Sequence, residues 1–183
     1  MHLDDEELVA RAKAGDGNAF AQLYERYFDK VYRYAAYRVG AKEVAEDITS
    51  QVFLRALESL HSYRWQGLPF SAWLFRIARN LLVDRLRREK RRPAVPLEED
   101  LIADSLDVED QADQNMKLEE VRRALSLITE AQRQAIVLRL VAGLSLGETA
   151  KAMGRSLGAV KALQHGGLRA LRRHLEIREA PTG

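Results

Sequence analysis

Residues 146–163 have the sequence LGETAKAMGRSLGAVKAL, which predicts two short helices joined by a tight turn. Gly154 supplies the permissive backbone that such a turn needs. Ala150 is small where the two helices would cross, and Val160 and Leu163 would hold the second helix against the first. This layout is typical of a helix-turn-helix, whose second helix enters the major groove of DNA.

The second of these helices would turn small and basic side chains outward. Between Lys151 and His174 the chain has six Lys or Arg residues and no acidic residue. Such a face suits DNA phosphates and base edges. A helical hairpin with a solvated basic face is the alternative that the residues leave open. The candidate contacts to duplex DNA are Arg155, Ser156, Ala159, Lys161, Gln164, His165 and Arg169.

Apolar residues recur at helical spacing over most of the chain, without strand-like alternation, and this predicts an all-α protein. The expected helices are near residues 5–14, 18–39, 42–60, 69–88, 117–127, 129–141, 146–153 and 157–175. On the third helix the residues expected to face the core are Val44, Ile48, Val52, Leu54 and Leu57.

Aromatic and basic residues are interleaved in two neighbouring stretches, Tyr63-Arg-Trp-Gln66 and Phe70-Ser-Ala-Trp-Leu-Phe-Arg-Ile-Ala-Arg-Asn80. Because bases stack on rings while guanidinium groups hold phosphates, this pattern favours single-stranded DNA. Phe70, Phe75 and Ile77 fit an inward stripe and are expected in the core, whereas Trp73 fits both roles. The candidate contacts to single-stranded DNA are Tyr63, Arg64, Trp65, Gln66, Arg76, Arg79 and Asn80.

Two neighbouring segments of the chain carry strong and opposite net charges. Residues 71–92 hold eight basic and two acidic residues, a net charge of +6, whereas residues 93–116 hold eight acids and no base, a net charge of −8. Prolines end the preceding helix at the border between the two. We therefore expect two small helical domains joined by an acidic linker, the second being the helix-turn-helix domain. The expected boundaries are 1–92, 93–116 and 117–178.

Composition argues against several other classes of protein. The chain has no cysteine, and its four histidines show no metal-ligand spacing, so neither a disulfide nor a metal site is expected. No stretch approaches the roughly 20 apolar residues that span a bilayer. The acidic N-terminus lacks the features of a signal peptide. We expect a cytoplasmic protein that needs no cofactor and inserts into no membrane.

Three stretches, in this order, resemble the extracytoplasmic-function (ECF) sigma factors of bacterial RNA polymerase. They are Ala45-Glu-Asp-Ile-Thr-Ser-Gln-Val-Phe-Leu-Arg-Ala56, Trp73-Leu-Phe-Arg-Ile-Ala-Arg-Asn80 and the terminal helix-turn-helix. The resemblance extends over residues about 18 to 174. The ending Lys161-Ala-Leu-Gln-His165 is similar to a subgroup that includes an actinobacterial developmental sigma factor.

The resemblance implies a promoter-specific transcription initiation factor without catalytic activity of its own. It would bind core RNA polymerase through Asp47, Ser50 and Gln51, open the −10 promoter element with the aromatic and basic stretches, and read the −35 element as duplex. An anti-sigma factor is the implied inhibitor, and no small-molecule substrate is implied. The acidic linker would thread through polymerase, either as a mimic of RNA or as a spacer.

The chain departs from the family pattern at two places. The family usually has Gln and Glu where this chain has Ser50 and Gln51, so Asp47 would carry more of the docking. In the last helix Leu163, Gly166 and Gly167 stand where Arg or another bulky residue is common. These glycines would permit close approach to DNA or to a partner, or would let the helix bend.

Two other functions compete with this interpretation. A one-domain transcriptional regulator does not account for the stretch from Phe70 to Asn80. A helical nuclease needs carboxylates or histidines that converge on a metal ion. The adjacent acids at 46–47 point in different directions on a helix, and those at 98–100 lie in the linker.

Overall fold

The computed structural model describes residues 3–65, 67–91 and 119–179. Within those ranges the chain is helical and contains no strand, so the all-α prediction is confirmed. The helices are α1 (Asp5–Lys13), α2 (Gly17–Val39), α3 (Lys42–Ser59), α4 (Phe70–Arg91), α5 (119–126), α6 (Glu130–Ile136), α7 (Leu146–Met153) and α8 (Leu157–Glu179). A 3-10 turn over Leu60–Ser62 follows α3, and α6 continues as a π-helical turn over Val137–Val141. The linker expected over 93–116 lies outside the described residues.

Helices α1 to α4 pack around an apolar core to which α2 contributes one whole face. Leu23, Val31 and Tyr34 of α2 are buried, together with Val52 of α3 and Phe75 of α4. The rings of Tyr34 and Phe75 meet edge to face with their centroids 5.5 Å apart, an arrangement that the ring quadrupoles favour. This core leaves one face of α3 at the surface, whereas in the first turns of α4 it leaves mainly Arg76 and Asn80 exposed.

One face of α3 was assigned wrongly from the sequence. Ile48 and Val52 are buried as expected, but Leu54 and Leu57 are 56% and 50% exposed, and Phe53 is buried instead. A helix turns about 100° per residue, so Leu54 lies roughly 200° around the axis from Val52. Residue type alone suggested an inward position, whereas the helical phase turns both leucines toward solvent.

Helices α5 to α8 form a second group, in which local capping signals define α6 and α7. Thr129 caps α6 and Ser145 caps α7, each in a capping box with the residue three positions later. Gly154 ends α7 with a φ of 63°, a left-handed conformation that favours glycine. α8 begins at Leu157 and packs across α6 and α7, which is the predicted helix-turn-helix arrangement.

Gly166 and Gly167 lie where α8 crosses α6. A Cβ atom on Gly167 would come 2.7 Å from Cδ1 of Ile136 and 3.1 Å from Cβ of Gln132, and one on Gly166 would come 3.2 Å from Nε2 of Gln132. The helix continues through both glycines. Close approach is therefore the role that the structure supports, and the element approached is α6 of the same chain.

We predict that Gly167→Ala is less stable than Gly158→Ala by about 1–3 kcal/mol in free energy of unfolding, the usual cost of overpacking. Replacing a helical glycine by alanine favours the helix by about 1 kcal/mol. A Cβ on Gly158 meets nothing within 4 Å, whereas one on Gly167 meets buried Ile136 and a Gln132 atom that moves only with its backbone. Denaturant unfolding measures the difference, and equal stabilisation by both changes would contradict the close crossing.

Candidate nucleic-acid interface

The outward face of α8 presents basic side chains at one-turn spacing. Val160 is fully buried, and its burial fixes the rotation of the helix so that Lys161, His165 and Arg169 are exposed. Nη2 of Arg169 lies 3.2 Å from Nε2 of His165. The absence of acidic residues between 151 and 174 leaves this face positively charged, as contact with phosphates requires.

The start of α8 is fixed by its cap. Oγ of Ser156 accepts a hydrogen bond from the N–H of Ala159 at 3.2 Å, and its own O–H can still donate to another group. Arg155 and Ser156 are exposed, whereas Ala159 and Gln164 are half-buried. The structure therefore brings the predicted −35 residues to one surface, and their contact with DNA stays a prediction.

The three predicted −10 residues of α4 differ in their accessibility. Arg76 is exposed, but its Nη2 donates to the carbonyl oxygen of Lys151 on α7 at 2.7 Å. Asn80 is exposed, while Nε of Arg79 is buried and has no hydrogen-bond partner among the described residues. One residue predicted to meet the −10 element, Arg76, is thus hydrogen-bonded to the helix-turn-helix.

The loop before α4 does not present Tyr63 to solvent, contrary to expectation. The side chain is 2% exposed, and its hydroxyl donates to the carbonyl oxygen of Leu68 at 2.6 Å. Burial raises the pKa of Tyr63. Nζ of Lys13 donates to the Tyr63 carbonyl oxygen at 2.6 Å. Tyr63 anchors the loop, so the prediction that its ring stacks on a base is not supported by this position.

Trp65 and Trp73 are the partly exposed rings of this region. Their centroids lie 6.3 Å and 4.7 Å from that of Tyr63, which packs against both. Arg64 is exposed beside them, and Gln66 lies outside the described residues. Tyr63 thus supports two tryptophans, and these become the better candidates for stacking on bases.

The predicted polymerase-docking residues form one exposed face of α3. Nε2 of Gln51 donates to Oδ2 of Asp47 at 2.9 Å, and Oγ of Ser50 donates to the carbonyl oxygen of Glu46 at 3.0 Å. Leu54 lies two turns beyond Asp47 on the same side of the helix. A face that is acidic at one end and apolar at the other suits another protein better than DNA.

The two groups of helices are joined by a buried arginine. Arg38 of α2 has a side chain that is 2% exposed and forms an ion pair with Glu130 of α6. Its Nε and Nη1 atoms have no hydrogen-bond partner among the described residues. Next to it, Nη2 of Arg122 on α5 donates to the carbonyl oxygen of Val39 at 3.3 Å. The end of α2 is therefore held to α5 and α6 by charged and polar contacts.

A second polar contact joins the start of α4 to α7. Ser71 is buried, and its Oγ donates to Oε1 of Glu148, while Oε2 of Glu148 accepts from the N–H of Ser145 at 2.7 Å. Burial by itself would raise the pKa of Glu148. The hydrogen bonds from Ser71 and Ser145, with the charge of Lys30, outweigh burial and hold that pKa below its ordinary 4.5. The carboxylate is therefore charged at neutral pH.

Sequence reasoning did not find Arg38, Ser71 or Glu148 as functional positions. The pattern from Ser145 to Glu148 is readable as a capping box. Nothing local shows that the same carboxylate also meets Ser71, 77 residues away in the chain. Arg38 stands near the end of a predicted helix, where a basic residue is ordinary.

A further concave feature in the described part of the chain is a polar cleft between α3 and α4. Across the described ranges, no group of three or more His, Asp or Glu side chains could hold a metal ion. In the same part of the chain no helix has the length and apolar character needed to cross a membrane. A cleft of about 220 Å³ between α3 and α4 is lined mainly by polar groups, including Arg55, Arg85 and Arg88, unlike the apolar pockets that hold small molecules.

Both groups of helices match known protein families. Residues 23–92 match the Sigma-70 region 2 family, and residues 124–173 match the Sigma-70, region 4 family. The chain is 42% identical over 171 residues to the ECF RNA polymerase sigma factor BldN of Streptomyces coelicolor, covering 92% of this chain and 65% of BldN. It is 33% identical over 169 residues to the ECF RNA polymerase sigma factor SigX of Bacillus subtilis, covering 86% of this chain and 84% of SigX.

A solved structure shares the arrangement of helices. CnrH, in complex with the cytosolic domain of CnrY, superposes with a TM-score of 0.76 at 25% sequence identity. The match covers 94% of this chain and 97% of that one. The similarity therefore extends over both groups of helices.

We predict that Ser71→Ala raises the pKa of Glu148, because it removes a hydrogen bond that stabilises the carboxylate. A depressed folded-state pKa contributes stability above the unfolded pKa, and this is lost as the pH falls through the folded value. Ser71→Ala should therefore lose less stability than the unchanged chain as the solution is acidified below pH 4.5. Titration of the carboxyl carbon by NMR measures the pKa.

Ser145→Ala is the matched control for this experiment. It removes the Ser145 hydroxyl, which hydrogen-bonds with Glu148 at the start of α7 and lowers the pKa of that residue. Ser145→Ala should therefore raise the Glu148 pKa whether or not α7 rests on α4. A raised pKa in Ser145→Ala beside an unchanged pKa in Ser71→Ala would show that the contact between α4 and α7 is not made in solution.

Proposed function

The chain belongs to the ECF sigma factors of bacterial RNA polymerase, and we propose that it binds core polymerase and directs promoter-specific initiation by recognising −35 and −10 elements. The observation that carries the proposal is the presence of both sigma regions in one chain, the second ending in an exposed basic recognition helix, α8. In this proposal the chain acts in the cytoplasm, where it binds promoter DNA and positions core polymerase on it, while polymerase itself synthesises the RNA.

The proposed division of labour follows the two groups of helices. Residues 1–92 would form the domain that binds core polymerase and handles the −10 element. Residues 117–178 would form the domain that reads the −35 element. Residues 93–116 would connect them as an acidic linker within polymerase.

We assign docking on core polymerase to the face of α3 that carries Asp47, Ser50 and Gln51. Asp47 supplies the negative charge, and its hydrogen bond with Gln51 orients both side chains outward. Because Gln51 is neutral where the family usually has Glu, a basic partner surface would depend mainly on Asp47.

We assign the melted −10 strand to the start of α4 and the loop before it. Trp65 and Trp73 offer partly exposed rings for stacking, and Arg76 and Asn80 lie on exposed positions of α4. Ring stacking is worth about 1–3 kcal/mol per base in single-strand binding proteins. Arg76 can meet a phosphate once it leaves the carbonyl oxygen of Lys151.

Binding both promoter elements requires the two domains to separate. The elements lie about 25 base pairs apart, which is roughly 85 Å at about 3.4 Å per base pair. In the structure α7 instead rests directly on α4. The residues between Arg91 and Glu119 can span at most about 90–97 Å when extended, enough to cover that distance. The packed arrangement is thus a closed form, distinct from the form on the promoter.

We further propose an anti-sigma factor as a protein partner. CnrH was solved with the cytosolic domain of CnrY bound, and the fold of this chain matches CnrH over both domains. A protein that binds the closed form would keep Arg76 bonded to α7 and would keep the two domains from separating. Such a partner would favour the closed form, whereas promoter DNA would favour the form with separated domains, so each would oppose binding of the other.

Reconstitution tests the proposed function. We predict that the purified chain co-elutes with core RNA polymerase and directs run-off transcription from a subset of promoters in a genomic pool. Asp47→Ala should weaken binding to core by about tenfold or more, in the range found when one partner of a close charge pair is truncated. Glu46→Ala removes the same charge from an exposed position about 100° around the helix, and should leave binding unchanged. A chain that neither co-elutes nor directs any transcript would refute the proposal.

A further inference from the structure

Leu157 is a large apolar side chain left 54% exposed at the first residue of α8. Single exposed leucines are ordinary on protein surfaces. This one stands directly after Ser156, whose Oγ caps the helix, and directly before Gly158, which has open space where a Cβ would be. The leucine therefore projects from the tip of the helix between two small residues.

The rotation of α8 puts Leu157 on the edge of the proposed −35 surface. Positions 157, 161, 164 and 168 are spaced by four, three and four residues, so they form one stripe along the helix. Lys161 and Gln164 of this stripe are predicted DNA contacts, whereas Val160 is buried. Leu157 thus continues the row of Lys161 and Gln164 toward the N-terminal tip.

The tip of a recognition helix is the part that meets base edges in the major groove. Leucine has no donor or acceptor, so it can read only an apolar group there. The apolar group that the major groove displays is the C5-methyl group of thymine. An exposed leucine at this tip consequently matches a thymine base.

We propose that Leu157 is a specificity-determining residue that recognises a thymine methyl group within the −35 element. The proposal rests on the proposed function of α8 and extends it from hydrogen bonds and phosphates to an apolar contact. Burial of one methyl group between protein and DNA changes affinity by about fourfold, from about 0.8 kcal/mol per buried group.

The test uses the full chain with core RNA polymerase. The preferred −35 sequence is first selected from a random-sequence duplex pool, and each thymine in it is then replaced singly by deoxyuridine, which lacks only the methyl group. We expect one substitution to weaken binding by about fourfold. Leu157→Ala should weaken binding to the thymine duplex by a similar factor and abolish the difference between thymine and uracil at that base.

Two variants of α8 serve as controls. Leu168→Ala removes another exposed leucine of the same stripe, about 16 Å farther along the helix at about 1.5 Å per residue, and should retain sensitivity to uracil. Lys161→Ala should flatten the salt dependence of binding by about one unit if Lys161 contacts a phosphate, while Leu157→Ala leaves the slope unchanged.

The outcomes separate this inference from the function on which it rests. Binding to the selected duplex without sensitivity to any uracil, or with sensitivity that persists in Leu157→Ala, would overturn the role of Leu157 and leave the sigma assignment intact. Failure of the unchanged chain to bind any promoter duplex with core polymerase would overturn both. Leu157→Met keeps an apolar side chain and should preserve the discrimination.

Discussion

The relation between the two domains depends on the ion pair of Arg38 with Glu130. Arg38 is almost fully buried, and two of its three guanidinium nitrogens have no partner in the described part of the chain. Such a buried charge is tolerable only while a carboxylate faces it. Breaking a buried ion pair costs about 3–5 kcal/mol, and the cost is lower here because the Glu130 side chain is half exposed to water. In the same structure α7 rests on α4, and Nη2 of Arg76 donates to the carbonyl oxygen of Lys151 on α7. The pair joins α2 to α6 and so contributes to holding the helix-turn-helix beside α4.

Local signals were the readable part of the fold. The turn at Gly154 depends on residues within one helical turn, so the sequence predicts it correctly. The caps at Thr129 and Ser145 are equally local, because each capping box lies within one turn of its helix. Leu54 was wrongly expected in the core, because its apolar character does not show which side of the helix it occupies. Tyr63 was misplaced because its neighbours Arg64 and Trp65 are typical of a DNA contact, while its own burial depends on Leu68 and α4.

The contacts between the domains could not be predicted, because they join residues that are far apart in sequence. Ser71 and Glu148 carry no mark of their partnership, and the two glycines of α8 gain their meaning only when α6 crosses them. The surface residues of α3 and α8 remain predictions at the level of contact. What the structure adds is their exposure, and the finding that Arg76, a proposed −10 contact, also donates a hydrogen bond to α7.

The most direct test is the distance between the two domains in solution. The chain has no cysteine, so spin labels can be placed at Glu25→Cys on α2 and Ser126→Cys at the end of α5, both exposed. We predict one narrow, short distance in the free protein, replaced by a distance tens of ångströms longer when core polymerase and promoter DNA are added. A free protein that already shows the long distance, or a promoter complex that keeps the short one, would contradict the account.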